Sequence, residues 1–206
     1  MKTENELQHV IHNLRFEYGP TVQQFENHGG RNGNWKEDNI SNGGINLLYG
    51  LYDLIRDNFK DDYTIAEIGC HTGGSAELFA NMCKLVYAVD CWTSTDIYEV
   101  KFDNMMSKYN NIIKIKDFSV PASKRFEDES LDAVYIDADH TYESIREDII
   151  SWFPKIKKNG VLCGHDLQIP DIRKALNEFF PYKNFEKYCD NSWAIKMEEI
   201  NNLNLL

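Results

Sequence analysis

Three titratable side chains fall within four positions of the stretch LDAVYIDADHTYES, Leu131 to Ser144: Asp137, Asp139 and His140. They follow the apolar run Val134, Tyr135 and Ile136 and precede a new amphipathic pattern. Carboxylates and imidazoles are costly to bury unpaired. Gathered where a buried strand gives way to a helix, they point to cation binding or proton transfer. The same residues would also serve as an acidic turn that caps the next helix and faces water. A second such point follows Gly160 to Gly164 (GVLCG), where His165 and Asp166 end a short apolar run. A third is Asp90, which closes Leu85 to Asp90.

Hydrophobic periodicity supplies the elements that would position these groups. Ile45 to Phe59 repeats Leu47, Leu48, Leu51, Leu54 and Ile55 at helical spacing, with Ser41 and Asn42 as caps ahead of it. Strands are predicted over Thr64–Cys70, Leu85–Asp90, Ile112–Phe118, Leu131–Asp137 and Gly160–Gly164. Helices are predicted between and after them, over Ser75–Lys84, Ile97–Tyr109, Pro121–Arg125, Tyr142–Phe153 and Asp171–Phe180. Pro154 should end the helix whose apolar face is Ile145, Ile149, Trp152 and Phe153. Lys155, Lys157 and Lys158 then read as complements of its C-terminal dipole. Phe185–Cys189 and Ser192–Met197 should pair antiparallel across Asp190 and Asn191. The alternation predicts an α/β fold, a Rossmann-like, doubly wound and mostly parallel sheet with helices on both faces and an antiparallel C-terminal hairpin. Ligands of such sheets bind outside the carboxyl ends of the strands, so Asp90, the Asp137 cluster and the His165, Asp166 pair are expected on one edge.

Two regions are distinguished, an N-terminal segment over residues 1–40 and a main domain over 41–206. Glu4 to Phe16 places Leu7, Val10, Ile11 and Leu14 on one helix face. Gly19 to Gly44 is rich in glycine, asparagine and charge around Trp35, which reads as a lid or recognition loop or, alternatively, a connector. Exposed aromatics in this segment would suit a homodimer. The 206 residues are 42% hydrophobic and 13% aromatic, enough for a substantial core. A net charge of −11 argues against a nucleic-acid backbone as the main partner. No apolar run reaches the roughly 18 residues of a membrane span, and Met1 to Val10 lacks the apolar core of a signal peptide, so a soluble cytoplasmic protein without a membrane partner is expected. Cys70, Cys83, Cys91, Cys163 and Cys189 form no CxxC pair and read as reduced, packed thiols.

The loop AEIGCHTGGS, Ala66 to Ser75, joins a strand to a helix through Gly69, Gly73 and Gly74. It offers close backbone approach and a helix N-terminus for an anion. His71 breaks the GxGxxG pattern and so weakens a nicotinamide-dependent oxidoreductase. With Glu67 before the first glycine and Asp90 closing the next strand, where it could hold two ribose hydroxyls, the pattern suits a nucleoside carrying a carboxylate.

These segments, AEIGCHTGGS, then YAVD, then LDAVYIDADHTYESIREDIISWFPKIKKNGVLCGHD, resemble the successive motifs of class I S-adenosylmethionine-dependent methyltransferases. They are most similar to the small cation-dependent O-methyltransferases of sugars and natural products, over about Asn42 to Met197. The resemblance implies a seven-stranded sheet with a reversed last hairpin, and S-adenosylmethionine bound by Glu67, Gly69, His71, Gly73, Asp90, Trp92, Phe118, Ser119 and Asp137. It implies a divalent cation, magnesium in the first instance, held by Asp137, His165 and Asp166. His165 departs from the carboxylates or amide usual there; histidine favours softer ions and could instead act as a base. An acid at position 139 suits the sugar-acting relatives, so Asp139 is the expected general base, with His140 second. The expected acceptor is a saccharide or polyol hydroxyl. DADH is unlike the proline-rich motif of nucleic-acid amino methyltransferases. A non-catalytic module of the same fold is the remaining alternative.

Overall fold

The computed structural model describes residues 44–93, 96–181 and 185–201, with side chains from residue 50 to residue 200 within those ranges. The Glu4–Phe16 helix, the segment before Gly44 and hence the 1–40 region lie outside the described residues.

Apolar runs and glycine or proline punctuation produce a regular alternation from Gly44 onward. In order these are α1 (Gly44–Asn58), β1 (Thr64–Ile68), α2 (Gly74–Met82), β2 (Leu85–Asp90), α3 (Asp96–Met106), β3 (Ile112–Lys116) and α4 (Ser119–Ser123). There follow β4 (Leu131–Ile136), α5 (Tyr142–Trp152), β5 (Ile156–Gly164), α6 (Pro170–Phe179), β6 (Glu186–Lys187), β7 (Trp193–Lys196) and α7 (Met197–Asn201). The seven strands form one sheet in the order β3-β2-β1-β4-β5-β7-β6. β1 to β5 run parallel, whereas β7 pairs antiparallel with β5 and β6 antiparallel with β7.

Both faces of the sheet are covered, which is why its central strands are apolar at nearly every position. Side chains alternate between the faces. Ile65 and Tyr135 join Leu51, Leu54, Ile55, Phe79 and Phe102 on one side. Ile68, Val134 and Ile136 join Ile145, Ile149, Trp152, Ile172 and Leu176 on the other. Each such side chain contributes roughly 1.5–3 kcal/mol when fully buried. The helices on both faces thereby fix the sheet edge that carries the polar residues.

Three expectations change. β5 begins at Ile156 rather than Gly160, because the chain passes Pro154 through a 3-10 turn, Phe153–Lys155, directly into the sheet. The lysines are not dipole complements: Lys155 pairs with Asp128 at 2.6 Å, Lys157 with Asp132 at 2.7 Å and Lys158 with Glu129 at 3.5 Å. Acidic groups at the start of β4 outcompete the partial charge of a helix end. The last strand is also shorter than expected, and Met197 opens α7 instead.

Candidate active site

The polar residues of the site stand one step beyond the strands, yet main-chain bonds still register them. Gly69 N donates to Val89 O (2.8 Å), Asp137 N to Ile68 O (2.8 Å) and His165 N to Ile136 O (3.1 Å). Asp137 is thereby fixed beside Gly69, between β1 and β4, where the strand order reverses and such sheets open a crevice. Gly69 has φ 91° and its Cβ would lie 2.1 Å from Asp137 O, so only glycine fits.

The β1–α2 loop is shaped by its main chain and braced from behind. Asp90 accepts His71 N at 2.8 Å on one carboxyl oxygen and Trp92 N at 2.7 Å on the other. The buried Trp92 donates its indole N–H to His71 O at 2.7 Å. His71 (φ 46°) and Trp92 (φ 45°) both hold left-handed conformations, which these bonds sustain. Glu67 lies fully buried beneath the loop, where its Oε1 accepts the Ser75 hydroxyl and its Oε2 has no partner. Burial pushes its carboxyl up to about 8, against the Ser75 hydroxyl and with the help of the Asp137 charge.

Two cavities open at this edge. One, of about 650 Å³, is lined by Gly69 to Thr72, Gly74, Ser75, Asp90, Asp137, His140, His165, Asp166 and Cys189 to Asn191. The other, of about 840 Å³, is lined by Asp90, Asp117 to Pro121, Asp139, His140 and Asp148, among others. They share Gly69, Asp90, Ala138 and His140. α2 begins at the first cavity, so its N-terminal amides and dipole favour an anion there. A Cβ at Gly74 would meet nothing within 4 Å, which shows the open side of this cradle.

At the ends of β4 and β5 the site is made of side chains. His140 Nε2 lies 3.0 Å from Asp166 Oδ2 and 3.4 Å from Asp137 Oδ1. His165 Nδ1 lies 3.2 Å from Asp166 Oδ1 and 3.8 Å from Asp137 Oδ1. The hydrogen bonds to Asp137 and Asp166 push His140 up to about 10. Burial would lower His165, but Asp166, Asp137 and Asp190 together push it up to about 9. Burial would likewise raise Asp166, but the two imidazoles hold its carboxyl well below the usual carboxylate range. For Asp137 burial wins and its carboxyl is raised, with the His140 hydrogen bond opposing.

The expected ligand set of Asp137, His165 and Asp166 gains His140 as a further candidate. The ligand atoms that converge, all within 4.8 Å of one another, belong to Asp137, His140 and Asp166; His165 stands beside them. Sequence spacing places His165 next to Asp166 but does not reveal that the turn after β4 folds His140 back over it. Asp139 and Thr141 realise the capping alternative: Asp139 Oδ1 accepts Thr141 N at 2.9 Å and Thr141 caps α5. Asp139 also lines the second cavity, next to His140.

Of the residues expected around the cofactor, Gly69, His71, Asp90 and Asp137 line the first cavity and Phe118 and Ser119 the second. Glu67, Gly73 and Trp92 line neither: Glu67 bonds the cavity-lining Ser75, Gly73 packs on Met105 and Phe102, and Trp92 bonds His71 from behind the loop. Sequence reasoning missed Ser75, Asp148, Asp190 and Asn191. Asp148 accepts the Ser119 hydroxyl, whose oxygen in turn accepts Trp152 Nε1 at 2.9 Å. Nothing local marks Asp148, which reads as one more acid on an amphipathic helix.

Residues 66–167 match a family model described as a methyltransferase domain. Among solved structures, the O-methyltransferase NovP superposes with a TM-score of 0.65 at 14% identity, covering 95% of this chain and 99% of that one. An rRNA methylase from Streptococcus thermophilus gives 0.53 at 14% identity, over 70% and 91% of the two chains. A putative methyltransferase from Streptococcus mutans, solved with S-adenosylhomocysteine, gives 0.53 at 11% identity, over 70% and 93%. At such identities the likeness speaks for the fold. No curated protein matches the chain in sequence. Among the described residues no helix is long and apolar enough to cross a membrane.

Proposed function

We propose that the chain, whose residues 66–167 match a methyltransferase domain, is a class I S-adenosylmethionine-dependent methyltransferase that methylates a hydroxyl of a sugar or small polyhydroxylated compound with the help of a divalent cation. The observation that carries this reading is the convergence of Asp137, His140 and Asp166 beside the Gly69 to Ser75 cradle. The net charge of −11 supports a small acceptor over a nucleic acid.

The cofactor fits the residues present. The first turn of α2, open at Gly74, suits its carboxylate, Asp90 its ribose, and Phe118 and Ser119 its base. A cation also fits: among the described residues, the ion-pair partners of Asp137 and Asp166 are the two histidines, whose countercharge is a proton that a bound cation would displace. Asp137, Asp166 and His140 would hold it, with His165 alongside. This mixed nitrogen and oxygen set suits manganese or another borderline ion at least as well as magnesium.

When bound, the cofactor supplies an already activated methyl group. A bound divalent ion lowers the pKa of a coordinated hydroxyl and fixes its direction. The protein aligns the acceptor oxygen behind the methyl and takes its proton. Asp139, exposed at the rim and next to His140, is the base, and His140 is the alternative.

Calorimetric titration with S-adenosylmethionine and S-adenosylhomocysteine, with and without magnesium or manganese, tests the two ligands. A mass-spectrometric screen of sugars, polyols and amines then tests the acceptor. Transfer to sugars or polyols that stops on chelation is expected. Transfer confined to amines would overturn the hydroxyl acceptor, and full turnover in excess chelator would overturn the cation.

A further inference from the structure

The β6–β7 connection is closed far more expensively than a tight turn needs. Asn191 N donates to Tyr188 O (3.0 Å), Tyr188 N to Ser192 O (2.9 Å), and Ser192 N to Asp190 Oδ1 (2.8 Å). These bonds close the turn and leave one atom of each tip side chain over. Asp190 Oδ2 and Asn191 Nδ2 have no hydrogen-bond partner although the residues are only 4% and 2% exposed. His165 Nε2, on a residue 9% exposed, is in the same state. All three residues line the first cavity together with Asp137 and Asp166.

The surrounding fold makes room for this arrangement. A Cβ at Gly50, inside α1, would lie 2.0 Å from Asp190 Oδ1. Glycine is a poor residue for a helix interior, and here its absent side chain is the space that the Asp190 carboxylate occupies. The tip is tied to the site as well, since Leu167 N donates to Asn191 O at 3.1 Å. Buried polar atoms are normally hydrogen-bonded. A carboxylate oxygen, an amide NH₂ and an imidazole nitrogen left without partners on three residues that line one cavity therefore describe the ligand that would complete them: adjacent groups that each donate and accept, as hydroxyls do.

We propose that Asp190 and Asn191, with His165 Nε2, form an acceptor subsite that reads a free hydroxyl next to the one being methylated. The inference rests on the hydroxyl-acceptor reading above and narrows it to compounds with neighbouring hydroxyls. Position favours the acceptor over the cofactor as occupant. β7 lies three strands from β1, whose loop cradles the cofactor, a separation of about 14 Å at ordinary strand spacing.

Two isosteric exchanges test it without disturbing the turn. Asp190→Asn keeps an oxygen for Ser192 N and replaces the free acceptor with a donor. Asn191→Asp does the reverse, and aspartate tolerates the φ of 68° at that position. Protein loaded with S-adenosylhomocysteine is titrated calorimetrically with myo-inositol and with methyl α-D-glucopyranoside and its monodeoxy analogues. Wild type should bind at least one parent compound about tenfold or more tightly than one of its deoxy analogues. Each exchange should weaken the parent by about tenfold and erase that preference, with S-adenosylhomocysteine affinity within about twofold of wild type.

Undiminished preference in both variants, or no binding of any of these compounds by wild type, overturns the subsite. So does a loss of S-adenosylhomocysteine affinity that parallels the loss of polyol, because the turn would then belong to the cofactor. Product analysis with S-adenosylmethionine separates the two readings. Binding through the turn without any O-methyl product sinks the hydroxyl-transfer reading and leaves the subsite standing. Equal O-methylation by wild type and variants, with unchanged KM, sinks the subsite and leaves the transfer standing.

Discussion

The two sides of the cleft are built by different means. At the ends of β1 and β2 the shape is main chain: Gly69 and Gly73 at φ 91° and 93°, His71 and Trp92 left-handed, and Asp90 accepting two backbone amides. At the ends of β4 and β5 the shape is a set of side chains, Asp137, His140, His165 and Asp166, that hold one another. The first side fails where an added atom collides. The second fails where its charge balance is disturbed, because its two carboxylates draw their countercharge from imidazoles. A rigid cradle thus meets an electrostatically adaptable cluster at the strand-order reversal, an arrangement suited to one fixed ligand and one that varies.

The largest effect should come from the cluster. Asp137→Asn keeps the volume and removes the carboxylate that His140 shares with Asp166. Methyl transfer to a hydroxyl acceptor should fall about a thousandfold, the order of a lost acid–base or metal-assisted step, while calorimetric S-adenosylhomocysteine affinity changes by less than about tenfold. Loss of cofactor binding equal to the loss of rate would erase the division between the two sides. The counterpart on the cradle is Gly69→Ala, which drives a Cβ to 2.1 Å from Asp137 O at a backbone φ of 91°. It should cost about 3 kcal/mol or more of stability in denaturant unfolding. A variant as stable as wild type would mean that the loop is less rigid than its geometry indicates.

These differences also explain how much was legible in the sequence. A cradle made of main chain leaves local marks, because a left-handed position selects glycine and a strand end selects the residue that follows it. Gly69, Gly73 and Asp90 could therefore be read from spacing, and so could the strands, whose apolar runs are short and punctuated. A cluster made of side chains leaves no such mark. Asp137, His165 and Asp166 were legible as strand ends, but the bridging place of His140 depends on how one turn folds over the neighbouring strand. Asp190 and Asn191 carried only the signal of a hairpin turn. The space for Asp190 comes from Gly50 in α1, more than a hundred residues away in the chain, and no window of sequence contains both.

Asp148 carries the comparison into the second cavity, where a side chain rather than the main chain is under load. Its carboxyl is pushed up to about 6, by burial first, with the Ser119 hydroxyl pulling back. The folded state therefore holds this proton over a range where the unfolded chain, with an ordinary aspartate near 3.8, has released it. The associated stability is complete below about pH 4 and is lost as the pH rises through 6, a change of about 3 kcal/mol at 1.4 kcal/mol per unit. Asp148→Asn removes this titration. Denaturant unfolding at pH 4 and at pH 7.5 should show the variant gaining on wild type by up to about 3 kcal/mol across the interval. An unchanged difference would mean that water or a neighbour already solvates the charged form.

The smallest effect should be found five residues from the most intolerant glycine. Gly74 begins α2, its φ is not positive, and a Cβ there would meet no atom within 4 Å. If main-chain geometry alone governs the cradle, Gly74→Ala should leave stability within about 0.5 kcal/mol of wild type, or raise it slightly by restricting the unfolded chain. The open space is also the space assigned to the cofactor, so the same methyl group should weaken S-adenosylhomocysteine in calorimetry while unfolding stays put. Separate responses of stability and affinity at Gly74, against joint loss at Gly69, would distinguish the wall of the cradle from its hinge. An unaltered affinity at Gly74 would move the cofactor away from the first turn of α2 and leave the β1 loop as a structural feature only.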